Sequence, residues 1–185
     1  TSGVLLVAKS KDVTRAVAAS WDAAEKTYLV VVRGEYRGPA TIDRPLKDED
    51  GILRPATTHV VVEAKLGALE PATTLLAVKL GTGRMHQIRR HLVDVGHPVM
   101  LDDKHGDFAA NKAWVRAIKD TGARAPHKAD LMLHAARLTC PHPRTRAMLD
   151  WTAPPPLVWG HALRAAGASA ELLAAWGLGD ARAPA

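Results

Sequence analysis

Gly81-Thr82-Gly83-Arg84-Met85-His86-Gln87-Ile88-Arg89-Arg90-His91-Leu92 is the most specific stretch of the 185-residue chain. Its spacing predicts a helix over residues 83–95. Thr82 stands where an N-cap belongs, Gly96 where a left-handed C-terminal residue belongs, and Pro98 follows two residues later. At about 100° per residue, Met85, Ile88, Leu92 and Val95 fall on one arc and face a core. His86, Gln87, Arg90 and His91 fall on the other side. Arg89 projects within the apolar arc, and a charge there needs a partner or access to water. Arg84 falls in the predicted first turn, whose free N–H groups favour anions. A cation there costs about 0.3–1 kcal/mol, so a carboxylate or phosphate partner is expected for it. A solvated basic helix face is the competing reading on spacing alone. His86 and His91 are about 140° apart around a helix, unlike the i, i+4 pairs that bind metal there. No metal site is expected.

Working outward, residues 4–8, 28–32, 42–46, 59–63 and 73–80 read as strands, and residues 131–139 and 147–151 as late strands. Residues 11–21 have helical spacing, with Val13, Val17 and Trp21 at steps of four, and residues 108–119 predict a further helix. Pro154-Pro155-Pro156 breaks the chain, and the Ala-rich residues 157–176 read as helical. Strands dominate the first half and mix with helices afterwards, which favours an α+β domain. The expected division is a main domain over residues 1–156 and a helical C-terminal extension over 157–185.

Composition narrows the partners. Lys and Arg total 25 against 19 Asp and Glu, a formal charge of +6, and a basic balance favours polyanions such as nucleic acid. No apolar run approaches the roughly 20 residues needed to span a bilayer. The lone Cys140 cannot form an internal disulfide, which fits a reducing cytoplasm.

The central stretch, followed by Gly96-His97-Pro98-Val99, resembles the long motif of RluA-type RNA pseudouridine synthases. Other marks stand in the family's order: residues 1–9 resemble the end of its first motif, Lys26-Thr27-Tyr28 with Val32-Arg33-Gly34 the second, Ile42-Asp43-Arg44-Pro45-Leu46 a family loop, and Leu133-His134-Ala135 with His142-Pro143 the closing motif. The resemblance covers residues 1–152. Asp102 and Lys104-His105-Gly106-Asp107, with Asn111, are similar to the tRNA-modifying branch that has no N-terminal S4 RNA-binding module. Two features depart from the family. Leu101 replaces a glycine, so a different local backbone is expected there. The family's aspartate belongs three residues ahead of the position matched by Thr1, outside this sequence.

The resemblance implies the pseudouridine synthase fold, a mixed and largely antiparallel sheet flanked by helices. It implies isomerisation of uridine to pseudouridine in RNA, tRNA before rRNA, with no cofactor; beside it, a cytoplasmic protein with no membrane partner is expected, its oligomeric state open with a monomer favoured. By the same resemblance Arg84 is the ion-pair partner of the aspartate, and Tyr28 packs on the base and can move a proton. Leu133 and Ile88 are expected to wall the uracil pocket, and Arg89, Arg90 and Lys104 to contact phosphates. As written, without the aspartate, the 185 residues are expected to be inactive. The alternative is a non-catalytic RNA-binding domain of the same fold.

Overall fold

The computed structural model describes residues 1–179; the last part of the expected C-terminal extension, residues 180–185, lies outside them. Its strands are β1 (Ser2–Gly3), β2 (Glu25–Arg33), β3 (Thr41–Asp43), β4 (Leu46–Lys47), β5 (Leu53–Arg54), β6 (Thr57–Leu66), β7 (Thr73–Leu80), β8 (Leu133–Pro141) and β9 (Met148–Thr152). The helices are α1 (Lys11–Ala19), α2 (Gln87–Asp94), α3 (Phe108–Asp120), α4 (Leu157–Ala165) and α5 (Ala170–Ala175). The main sheet runs β1-β8-β2-β7-β6-β3, with β9 also on β8, while β4 and β5 form a separate hairpin. All pairings are antiparallel except β1 with β8. The mixed α/β architecture with a mostly antiparallel sheet is the one expected.

Central β2 is apolar without alternation because both of its faces are covered: Leu29, Val30, Val31 and Val32 are all buried. Trp114 and Ile118 of α3 and Leu92 of α2 join the same core. So do Trp159, Ala162 and Leu163 of α4 and Leu173 of α5, so the helical stretch after the prolines shares one apolar core with the sheet. It is two helices rather than one, separated where Gly167 takes φ 101° and Ser169 caps α5 through Leu172 N–H.

Three local expectations fail, each for a physical reason. Residues 4–8 form no strand. Val4 and Leu6 pack with Trp21, Ala24, Leu138 and Cys140 in a small second cluster, while Leu5 and Val7 face out. Alternating burial thus occurs without strand pairing beyond the Val4 N–H bond to Ala135 C=O. Next, α2 starts at Gln87, four residues later than expected, because His86 takes a left-handed φ of 53° that a helix cannot include. Thr82 does not cap it; its hydroxyl donates to Gln87 Oε1 at 2.7 Å. Consequently Arg84 and Met85 precede the helix, and Met85 is 53% exposed instead of facing the core. The C-terminal end is as expected: Gly96 has φ 85°, His97 N–H reaches Leu92 C=O and Gly96 N–H reaches Val93 C=O, a Schellman end.

The third concerns the side of α2 away from the apolar arc, which the competing reading put in solvent. Gln87 and His91 are buried, because the chain on either side of β4 and β5 covers that side of α2. Gln87 Nε2 donates to Thr57 C=O and to Thr58 Oγ1. The Thr58 hydroxyl, so occupied as an acceptor, donates its proton to His91 Nδ1, and His91 Nε2–H donates to Arg44 C=O, both at 2.9 Å. The side chains of Gln87, Thr58 and His91 are thus all hydrogen-bonded, which is the condition for burying them there. α2 is thereby fixed against β6.

Candidate active site

Ser2 and Gly3 lie parallel to His134 and Ala135 at one end of β8. Gly3 has φ 105°, and a Cβ there would come within 2.2 Å of Ala135 C=O. Only glycine allows the chain to run so close. The imidazole of His134 is buried and anchors it further. Its Nε2–H donates to Ala153 C=O at 2.9 Å, leaving Nδ1 to accept from the Ser2 hydroxyl at 2.9 Å. Burial lowers the His134 pKa, which favours this neutral form. Ser2 and Gly3 are therefore held at a fixed place beside β8.

Directly across from it stands Tyr28. The β2–β8 register shifts between Thr27 and Tyr28, and a bulge of this kind re-aims the neighbouring side chain. Tyr28 is half-buried, and burial raises its phenol pKa, so the hydroxyl keeps its proton at neutral pH. Residues 1–5, Tyr28, Leu133 and the turn ahead of α2 enclose one cavity of about 670 Å³. Ile88 and Leu133 give it an apolar wall and Arg84 a cationic rim.

The Arg84 side chain is exposed. Its Nε–H donates to Pro55 C=O at 3.1 Å, and it forms no ion pair among the described residues. Arg89 is the opposite case. Its Nε reaches Asp102 Oδ2 at 2.7 Å and a terminal nitrogen reaches Asp102 Oδ1, with Asp103 at 3.4 Å. That answers the question posed by a charge within an apolar arc. Burial alone would raise the Asp102 carboxyl. The fork from Arg89 and the N–H groups of His105 and Lys104 outweigh it and hold the carboxyl below its usual range.

Leu101, just before Asp102, takes φ 59°, so the local backbone is the left-handed one a glycine would adopt. The expected departure does not occur. Such a φ costs a side-chain-bearing residue about 1–2 kcal/mol, offset by burial of the leucine and by its N–H donating to Asn111 Oδ1 at 2.9 Å.

The sequence-expected residues divide. Tyr28, Arg84, Ile88, Arg89 and Leu133 line the same cavity. Arg90 is turned toward the β4–β5 hairpin, where it donates to Lys47 C=O at 2.9 Å. Lys104 is exposed outside the cavity lining. Arg89, expected at a phosphate, already has its carboxylate partners. Sequence reasoning missed His86 and His105, whose rings meet edge to face with 5.4 Å between centroids and 3.3 Å between Nδ1 and Nε2. Burial lowers both pKa values, and with the cations Arg89 and Lys104 it outweighs the Asp102 carboxylate, which raises them, so one neutral ring can donate to the other. The positive φ of His86 was the feature that hid the contact, because helical spacing points that residue elsewhere.

A pocket with an apolar wall, an exposed guanidinium without an ion-pair partner among the described residues at its rim, and a protonated phenol in its lining can bind a planar uncharged ring beside an anionic group. Residues 1–94 match the family model described as RNA pseudouridylate synthase. The chain is 35% identical over 173 residues to a tRNA pseudouridine synthase C of Yersinia pestis, covering 83% of this chain and 64% of that protein. It is 32% identical over 164 residues to a ribosomal large subunit pseudouridine synthase C of Haemophilus ducreyi, covering 83% of this chain and 48% of that protein. The chain thus spans less than two thirds of the length of either relative. In fold it is similar to human RNA pseudouridylate synthase domain containing 1, with a TM-score of 0.62, 24% identity, and coverage of 97% of this chain and 76% of that one.

Proposed function

The chain belongs to the RNA pseudouridylate synthase family, and from that premise we propose that it serves the isomerisation of uridine to pseudouridine in RNA, with tRNA as the substrate and the cytoplasm as the place. The reaction breaks the C1′–N1 bond, turns the uracil and joins C5 to C1′; C5 gives up its proton and N1 takes one up, so the composition is unchanged. The target base must first leave its stack, at about a few kcal/mol.

One observation carries the reading: Arg84 and Tyr28 share a cavity with Ile88 and Leu133. The uracil sits against Ile88 and Leu133, with the Tyr28 ring across it. Arg84 orients and neutralises a carboxylate that attacks or deprotonates the sugar. A bidentate guanidinium–carboxylate pair fixes direction as well as charge. Uracil seated on the apolar wall displaces water beside that pair, and the same charges attract more strongly at low dielectric. The carboxylate is the aspartate that the resemblance puts ahead of Thr1, and the Ser2–His134 anchor supports delivery of that segment to the cavity mouth. The Tyr28 hydroxyl, protonated at neutral pH, is the candidate to move the proton between C5 and solvent. Preference for tRNA rests on the Lys104-His105-Gly106-Asp107 segment and on the name of the Yersinia pestis relative.

The test is to incubate the full-length protein with separate tRNA and rRNA transcripts and map pseudouridine. Modification of a tRNA uridine is expected. Modification of rRNA alone would move the substrate, and none in either RNA would overturn the reading.

A further inference from the structure

A second cavity of about 490 Å³ lies along α3, outside the catalytic pocket. Phe108, the only phenylalanine of the chain, opens it and is 63% exposed. Large apolar side chains usually turn inward, and this one stands in water beside Lys112, Val115 and Lys119. Those four share one face of α3, at steps of four, three and four residues, and Arg116 and Lys128 border the same cavity. Lys112 and Arg116 are four apart, as like charges that repel on a helix. Arg116 is relieved by Asp120 at 3.8 Å, but Lys112, Lys119 and Lys128 have no ion pair among the described residues.

The platform is rigid. Asp107 Oδ1 accepts from Ala110 N–H and caps the helix, and Asp107 Oδ2 is paired with Arg33 of β2. It also adjoins the catalytic site. Asp103 and Leu101 line the second cavity, and Asp103 and the adjacent Asp102 both bond Arg89, which lines the first.

We propose that Phe108 is a stacking platform for an unpaired nucleotide flanking the target uridine, with Lys112, Lys119 and Lys128 holding the adjoining phosphates. An exposed aromatic ring interleaved with lysines is the chemistry that binds single-stranded nucleic acid without reading its sequence. The inference rests on the pseudouridine synthase reading, because it is the extruded uridine in the first cavity that presents its neighbour to the second.

The experiment measures the affinity of the full-length protein for its modified transcript as a function of salt, alongside turnover. Phe108→Ala and Phe108→Leu should each weaken binding roughly five- to hundredfold, and Phe108→Trp should restore it. The double change Lys112→Gln with Lys119→Gln should reduce the slope of log affinity against log salt by about 1.4. Turnover at saturating RNA should persist in every variant, which distinguishes a docking role from a folding defect. Wild-type affinity in Phe108→Ala, or full affinity in Phe108→Leu, would overturn stacking, and an unchanged salt slope would overturn the phosphate contacts. Those results would leave the catalytic reading intact if the wild-type protein still forms pseudouridine. Absence of pseudouridine with the wild-type protein would count against that reading itself.

Discussion

Arg89 and Asp102 form a forked ion pair across 13 residues of sequence, with side-chain exposures of 11% and 0%. It ties the first turn of α2 to the loop that leads into α3. Removing Asp102 leaves the nearly buried Arg89 with only the 3.4 Å contact to Asp103, and removing Arg89 leaves a buried carboxylate with no cation. Asp102→Ala should therefore destabilise the fold by about 3–5 kcal/mol, measurable by urea denaturation.

The same pair sets a pH dependence. The Asp102 carboxyl is held below its ordinary value of 3.8. Its stabilisation is present above that value and is lost as pH falls through the depressed folded pKa. Below pH 4, stability of the wild-type protein should fall more steeply than that of Asp102→Asn. Parallel acid limbs would remove Asp102 from the titration.

Leu101 offers a sharper contrast. In most helices and strands alanine is more stable than glycine by about 0.5–1 kcal/mol. At φ 59° the order should reverse, because alanine keeps the left-handed strain and glycine does not. Leu101→Gly should unfold at higher urea than Leu101→Ala, and both below wild type, since the buried leucine is lost in each.

These positions also show where the sequence could be read and where it could not. The β2 run Leu29 to Val32 and the Gly96 stop of α2 were legible, because burial on both faces and a positive φ each leave a strong local mark. That Tyr28, Arg84, Ile88 and Leu133 share one cavity was legible only through a family resemblance, since each alone also fits an ordinary strand or helix. Gln87 and His91 misled, because period counting treats polar as exposed. Their partners Thr57, Thr58 and Arg44 lie about 30 to 47 residues away. His86 misled for a different reason: one left-handed residue moved the helix start, and with it the placement of Arg84 and Met85.

Tyr28 separates packing from proton movement. Tyr28→Phe keeps the ring and removes the hydroxyl. Transcript affinity should be preserved while single-turnover rate falls by about 10²-fold or more, as general acid–base groups commonly contribute. An unaltered rate would restrict Tyr28 to stacking.

Gly3 tests the placement of the segment ahead of the cavity. A Cβ at this position would lie 2.2 Å from Ala135 C=O, so Gly3→Ala must push residues 1–3 off β8. Displacement of a catalytic group by about 1 Å can cost 10²-fold in rate. Activity should drop on that scale in the full-length protein. The melting temperature should change little, because Ser2 and Gly3 lie at the sheet margin and are exposed.

The most direct measurement concerns Arg84, the cation at the cavity rim. In full-length protein acting on whichever transcript it modifies, Arg84→Met should retain the fold and RNA affinity within a few-fold, yet lose pseudouridine formation by at least about 10²-fold. Pseudouridine formation by Arg84→Met at the wild-type rate would contradict the account, because the carboxylate would then need no guanidinium to hold it.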